Sequence, residues 1–350
     1  MCRITTSDPS EIAGIDQDLL QDFVRIARSK RVSPVLALGG WTGSRFFSTI
    51  VATAESRTKF IKAILALVDK YDLDGIDFDW EYPGHQGLGC NAVDPDDSAN
   101  FLSLLQELRK NRSNLELSAA VATPFTGPDG NPMTDVSEFA NVLDRVELMV
   151  YDTWSSKTNV GPNAPLRDDC APSDFQFGSV HSIVDQWTQA KFPIEKLVLG
   201  LAAYGHSFTV SPSSAFNGST RSLNTYPSIG GPQPAGSSDT PGDTSKDPCG
   251  NPYGLSGVFT FSGLVNTGFL DERGNAKYNY AIDGCSGTPF LYDEKSQVMV
   301  SYDDAKSFGL KGAYIADNNL AGFAVWDATG DYNDILLDSL HSAIGISACD

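Results

Sequence analysis

The densest concentration of reactive side chains in this 350-residue chain is the stretch Asp72-Leu73-Asp74-Gly75-Ile76-Asp77-Phe78-Asp79-Trp80-Glu81-Tyr82-Pro83-Gly84. In a strand the side chains alternate, so Asp77, Asp79 and Glu81 share one face and Ile76, Phe78 and Trp80 the other, with about 6–7 Å between successive members of a face. A solvated strand face would mix charge signs and avoid Asp, a poor strand former. A calcium loop would need a glycine at its sixth position and a distant Glu, which the series Asp72, Asp74, Asp77 lacks. If the three acids face the interior of a barrel, repulsion and desolvation make at least one hold a proton near neutral pH. Glu81, the outermost, is then the natural donor. A protonated carboxylic acid beside ionised neighbours is what cleavage of a glycosidic bond requires, because the leaving oxygen takes up a proton as the bond breaks.

The surrounding pattern supplies the strands and helices that would position this ladder. Asp16 to Lys30 places Leu19, Leu20, Phe23, Ile26 and Ala27 on one helical face, and Val32 to Gly40 follows as a short apolar strand. The alternation recurs with helix 57–70 and strand 75–79, then helix 100–110 and strand 115–122. Strands 145–151 and 196–203 follow, with helix 179–190 between them. Strands separated by helices argue for a parallel sheet with the helices outside, in a barrel or a doubly wound sheet. Glu81 lies at the C-terminal end of its strand, where barrel enzymes hold their catalytic groups. Between about residues 209 and 310 the texture changes to Ser/Pro/Gly-rich loops with short aromatic runs at 258–261 and 290–292, which reads as an inserted α+β module. The barrel pattern resumes with a helix at 302–308, a strand at 322–326 and a last helix at 334–344.

Composition narrows the partners. Of the residues 41% are hydrophobic and 20% charged, and 44 Asp+Glu against 25 Lys+Arg leave a formal net charge of -19. Such a surface repels phosphate backbones and anionic lipid, so neither nucleic acid nor membrane is expected as a partner, and a neutral ligand is. No apolar run approaches the roughly 20 residues that cross a bilayer as a helix. Cys2, Cys90, Cys170, Cys249, Cys285 and Cys349 have no C-x-x-C spacing, so no zinc site is suggested, and spacing alone leaves free thiols and disulfides both open. Met1 to Ser7 has no apolar core of the kind a secretory signal needs.

The ladder Asp74-Gly75-Ile76-Asp77-Phe78-Asp79-Trp80-Glu81 resembles the D-x-x-D-x-D-x-E signature of glycoside hydrolase family 18, the chitinases and their relatives. Further motifs fit the same family. Leu38-Gly39-Gly40-Trp41 resembles its S-x-G-G-W strand, Met149-Val150-Tyr151-Asp152 its M-x-Y-D strand, Leu199 to Gly205 its G-x-x-x-Y-G strand, and Gly322 to Trp326 its last strand with the terminal tryptophan. The run Val160 to Leu166 is similar to fungal members. The resemblance implies a (β/α)8 TIM barrel, residues 1–208 and 311–350, with an α+β insertion module at 209–310. It also implies a chitinase that hydrolyses β-1,4 links between N-acetylglucosamine units with retention, without metal or cofactor, as a secreted monomer acting on chitin or chitooligosaccharides. In that mechanism the substrate's own N-acetyl oxygen attacks the anomeric carbon. Glu81 is the general acid and then the base, Asp79 orients the acetamide and shares a proton with Glu81 or Asp77, and Tyr151 donates to the acetamide carbonyl. Asp152 holds a sugar hydroxyl or the acetamide, Met149 lines the floor, and Trp326, Trp41 and Trp154 form the platform on which pyranose faces pack, with Tyr204 a further contact. Trp187, on a helix face with Ile183, reads as core.

Two departures stand out. Ala37 replaces the serine of S-x-G-G, removing a hydroxyl that can bond the innermost acid, and His206 replaces the arginine after Tyr-Gly. The family also carries two strands and a helix ahead of S-x-G-G, which Met1 to Gly14 cannot supply. About six of eight barrel strands are therefore expected, with the N-terminal part of the domain missing. Two other readings remain: a chitin-binding lectin that kept the fold without the chemistry, and an endo-β-N-acetylglucosaminidase acting on N-glycans.

Overall fold

The structure, a computed structural model, describes residue 3 and residues 7–154 and 156–346. Cys2 and Cys349 lie outside them. The chain divides into two compact units, Met1–Leu148 with Gln186–Leu197 and Asp247–Asn251, and Met149–Asp185 with Val198–Lys246 and Pro252–Asp350.

In the first unit four strands, β1 (Val35–Gly39), β2 (Gly75–Asp79), β3 (Glu116–Val121) and β4 (Arg145–Leu148), pair in parallel in chain order. The register aligns Ala37, Asp77, Ser118 and Arg145 in one row across the sheet. Helices α1 (Gln17–Ser29), α2 (Phe47–Val51), α3 (Ala54–Tyr71), α4 (Asp97–Asn111) and α5 (Ser137–Ala140) complete the unit. Thr53 and Ser56 form a capping box at the start of α3, and Asp72 ends that helix in the left-handed region at φ 53°. The Ile76, Phe78 and Trp80 face packs into the core: Trp80 stacks on Phe47 at 5.1 Å, and Phe101 of α4 meets Phe78 and Trp80 edge-on at 5.5 and 5.6 Å. Helix α6 (Val180–Gln189) brings Trp187 to the same core, fully buried as expected, edge-on to Phe125 and Phe192 and donating from Nε1 to the Ala122 carbonyl at 3.0 Å. A disulfide joins Cys90 to Cys249.

In the second unit β5 (Leu197–Ala202) pairs in parallel with β11 (Gly322–Trp326). A separate antiparallel sheet is built from β6 (Tyr204–Thr209), β7 (Val258–Thr260), β8 (Asn279–Ile282), β9 (Pro289–Asp293) and β10 (Val298–Ser301), in the order β7-β6-β10-β9-β8. Its apolar side gathers Val210, Phe216, Phe290, Tyr292 and Met299. Short helices α7 (Pro212–Ala215) and α8 (Phe261–Asn266) lie in the connections, and α9 (Ala305–Asn318) packs on α10 (Ile335–Ile344). The second disulfide joins Cys170 to Cys285. Six parallel strands alternating with helices, together with a separate antiparallel sheet, are the elements of a (β/α)8 barrel with an α+β insertion, as the sequence leads one to expect.

Several local expectations are corrected. Helix α1 buries the stripe Leu20, Val24 and Ala27, against α3, and leaves Leu19, Phe23 and Ile26 about half or more exposed. The apolar residues of this helix form two stripes, and the sequence pattern merged them. The helix expected at 302–308 begins at Ala305 and runs to Asn318, because Asp304 caps it through the amides of Lys306 and Ser307. Strand β4 ends at Leu148 rather than at Tyr151.

Replacing Trp187 by Ala removes a fully buried indole and its hydrogen bond. The expected loss is about 3–5 kcal/mol of unfolding free energy, read from the shift of the urea midpoint. Trp187→Phe, which keeps most of the ring, is expected to lose about 1–2 kcal/mol.

Candidate active site

The first unit holds the ladder. Asp79 and Glu81 are buried and Asp77 is partly so, which removes the solvated-face reading. Asp72 and Asp74 serve a different purpose, since both pair with Arg28 of α1, at 3.3 and 2.7 Å. The acids of β2 meet few donors. Ser118 donates to Asp77 Oδ1 at 2.7 Å, while Asp79 Oδ1 is buried without a hydrogen-bond partner. Burial, then repulsion from Glu81 and Asp77, pushes the Asp79 carboxyl up to about 8. Burial likewise raises Asp77, against the hydrogen bonds of the Ser118 hydroxyl and the Glu147 side chain and the charge of Arg145. The Asp79 carboxyl is thereby disposed to keep a proton near neutral pH.

The backbone beneath these groups is fixed by small residues. Ser44 Oγ donates to the Asp79 carbonyl at 3.1 Å and accepts from the Glu81 amide at 3.0 Å, spanning Trp80. Asn91 Nδ2 donates to the Glu81 carbonyl at 2.9 Å. Gly39 comes so close that a Cβ there would lie 2.2 Å from the Asp79 carbonyl oxygen, and its φ of 114° suits glycine. Trp41, two residues on, stands 49% exposed.

The second unit holds a second constellation. Tyr204 donates to Asp152 Oδ2 at 2.6 Å, His206 Nε2 lies 2.6 Å from Asp152 Oδ1, and the Asp152 amide donates to Asn163 Oδ1 at 3.1 Å. Burial and the neighbouring Asp152 raise the Tyr204 hydroxyl well above its ordinary value, so it stays a donor. Tyr151 meets the Tyr204 ring edge-on at 6.1 Å. Asp152, Tyr204, His206, Thr260, Trp326 and Asp327 line a cleft of about 210 Å³, and Trp326 is 49% exposed in it. Trp154 stacks on Phe175 and Tyr226, each at 5.6 Å, and donates from Nε1 to the Asn159 carbonyl at 2.8 Å. Met149 opens this unit immediately after β4.

The residues thus fall into two groups. Asp77, Asp79, Glu81 and Trp41 belong to the first unit; Met149, Tyr151, Asp152, Trp154, Tyr204 and Trp326 belong to the second. A strand face of buried acids with a retained proton is equipped to give a proton to a leaving group. A half-exposed tryptophan beside a carboxylate and a hydroxyl donor is equipped to pack on an apolar ring face while bonding its polar edge.

A family model described as glycosyl hydrolases family 18 matches residues 3–331 of this chain. The chain belongs to family 18 of the glycosyl hydrolases. It is therefore a glycoside hydrolase. A "chitinase-like effector" of Moniliophthora roreri is 46% identical over 97% of this chain and 85% of its own length, and a protein of the same name from Moniliophthora perniciosa is 45% identical over 94% and 76%. Among solved structures, a chitinase from Rhizomucor miehei superposes with a TM-score of 0.88 at 30% identity, covering 98% of this chain and 92% of its own. The family match corrects one expectation outright. The N-terminal part of the domain is not missing, since the family model takes up the chain at residue 3. Arg3 and Ala13 exchange two backbone hydrogen bonds, of 2.9 and 3.1 Å. Pairing through main-chain groups leaves no apolar run by which the sequence could announce it.

Sequence reasoning missed the residues that support the two groups. Ser44, Asn91 and Asn163 are polar residues whose buried roles carry no periodic signal. Glu147 did have one, as an acid two residues ahead of the Met-x-Tyr-Asp motif. The partner of His206 was also unforeseen: it holds Asp152.

Asp79 gives a direct test of the electrostatics. Its proton affinity is raised in the folded state, so unfolding above the ordinary carboxylate range releases a proton and stability falls as pH rises toward about 8. Asp79→Asn removes that dependence. Its unfolding free energy, read from urea midpoints, is expected to converge on wild type below about pH 4 and to gain on it up to about pH 8, by at most about 1.4 kcal/mol per pH unit.

Proposed function

We propose that this glycoside hydrolase cleaves β-1,4 links between N-acetylglucosamine units of chitin or chitooligosaccharides with retention of configuration. The observation that carries the reading is the carboxyl series Asp77, Asp79 and Glu81, with Asp79 and Glu81 buried and the proton affinity of Asp79 raised by that burial. In this reading Glu81 protonates the departing oxygen and afterwards deprotonates the incoming water. The substrate's acetamide oxygen serves as nucleophile, so no enzyme carboxylate needs to form a bond to the sugar. Asp79 shares a proton with Glu81 or Asp77, leaving Glu81 protonated for the donation, and orients the acetamide so that its oxygen is aligned, which draws on the effective molarity of an oriented intramolecular attack. Tyr151 donates to the acetamide carbonyl, Asp152 binds a hydroxyl or the acetamide, Met149 forms the floor, and Trp326, Trp41 and Trp154 carry sugar faces, with Tyr204 beside Asp152.

Support also comes from relatives named as chitinases and from the acidic balance, which suits a neutral polysaccharide better than a polyanion. The two disulfides favour an oxidising compartment, in keeping with a secreted protein. The two relatives named chitinase-like effectors favour a second reading, chitin binding without turnover.

A chromogenic chitooligosaccharide separates the two readings. The expected outcome is hydrolysis by the wild-type chain and a rate lower by about 10²–10⁴ in Glu81→Gln. Equal rates would remove Glu81 from the mechanism. Saturable binding with no turnover in either protein would establish the second reading.

A further inference from the structure

Glu147, on β4, is an acid of the first unit to which the proposed reaction gives no part. Arg145 Nε donates to its Oε1 at 2.7 Å, and Arg145 also pairs with Glu116 of β3. The other oxygen, Oε2, is buried with no hydrogen-bond partner. What the carboxyl faces is Asp77, side chain to side chain within hydrogen-bonding reach and near enough for the two charges to repel. Asp77 in turn receives one hydroxyl, from Ser118. On its other flank the register sets Ala37, which offers only a methyl group.

Within this unit the charged groups around Glu147 are Asp77 on β2, Glu116 on β3 and Arg145 on its own strand, with Asp79 the next acid along β2. One guanidinium is shared between Glu116 and Glu147. Two facing carboxyls in a core cannot both ionise near neutral pH, and the pair titrates as a unit. Arg145 occupies one Glu147 oxygen, and the free one is available to carry a proton to Asp77.

We propose that Glu147 is a positioning residue of the hydrolytic ladder: its carboxylic acid donates to Asp77, keeping Asp77 an anion beneath Asp79. The inference rests on the proposed function of that ladder. With Glu147 as donor, Asp77 accepts from two sides, and its charge holds the proton on Asp79. Without a donor at position 147, Asp77 takes the proton itself and the charge below Asp79 disappears.

Two substitutions separate this role from packing. Glu147→Gln retains an N–H donor in the same shape, and Glu147→Met fills the volume without one. On a chromogenic chitooligosaccharide, Glu147→Met is expected to move the alkaline limb of the kcat/KM–pH profile down by about one unit and to lower kcat about tenfold, while Glu147→Gln stays within about threefold of wild type at neutral pH. Profiles of both variants superimposed on that of wild type would overturn the proposal. A second readout needs no activity. Both variants lack a carboxyl protonated only in the folded state, so between about pH 5 and 8 their melting temperatures should fall less steeply than that of wild type. Parallel slopes in all three proteins would overturn the proposal. Differing slopes without any hydrolysis would count against the proposed function alone.

Discussion

The rest of the first unit is arranged around one costly feature, the carboxyl groups along and just beyond the end of β2, of which Asp79 and Glu81 are buried and Asp77 partly so. An isolated buried carboxylate is expensive, and like charges about 6–7 Å apart add repulsion to that desolvation. That burial raises the proton affinity of Asp79, whose Oδ1 has no hydrogen-bond partner. Ser118 serves Asp77, whereas Ser44 and Asn91 bond the backbone of Asp79 and Glu81 and leave the carboxyls alone. Support of that kind fixes where the acids point without lowering their proton affinity. The apolar face of the same strand anchors it to the core, through the Trp80, Phe47 and Phe101 cluster.

The second unit handles a carboxyl group in the opposite way. Asp152 is surrounded by partners, with Tyr204 on one oxygen, His206 on the other and Asn163 bonded to its amide. Donors on both oxygens orient the group and leave it an acceptor, as suits a residue that binds a polar edge. Asp79 Oδ1 is left without a hydrogen-bond partner, whereas both oxygens of Asp152 have one. The two arrangements in one chain fit a division of labour between chemistry and recognition.

Much of this was legible in the sequence because strand alternation translates directly into faces. The ladder, its apolar reverse side, the six parallel strands and the burial of Trp187 all follow from spacing of two or of about 3.6 residues. What spacing could not reveal depends on contacts between distant segments. Asp72 and Asp74 look like part of the ladder until Arg28 takes both. The stacking of Trp154 with Phe175 and Tyr226 is another contact between segments that spacing does not show. In α1, Leu19, Phe23 and Ile26 satisfy a helical period as well as the buried stripe does, and only packing chooses between them. The pairing of Arg3 with Ala13 is invisible for a related reason, since backbone hydrogen bonds leave no mark on side-chain pattern.

The two departures from the family motifs are best understood through their neighbours. Loss of the serine hydroxyl at Ala37 removes a donor from the β1 flank of Asp77, and the polar groups around Asp77 lie instead toward β3 and β4, in Ser118, Glu147 and Arg145. His206 is shorter than the arginine it replaces and reaches no farther than Asp152, where it shares the carboxylate with Tyr204. In each case the acid named by the motif is retained and the group that steadies it has changed. A substitution beside a catalytic motif therefore says little until its neighbours are known, because the quantity under constraint is the charge and orientation of the acid, and several different side chains can set both.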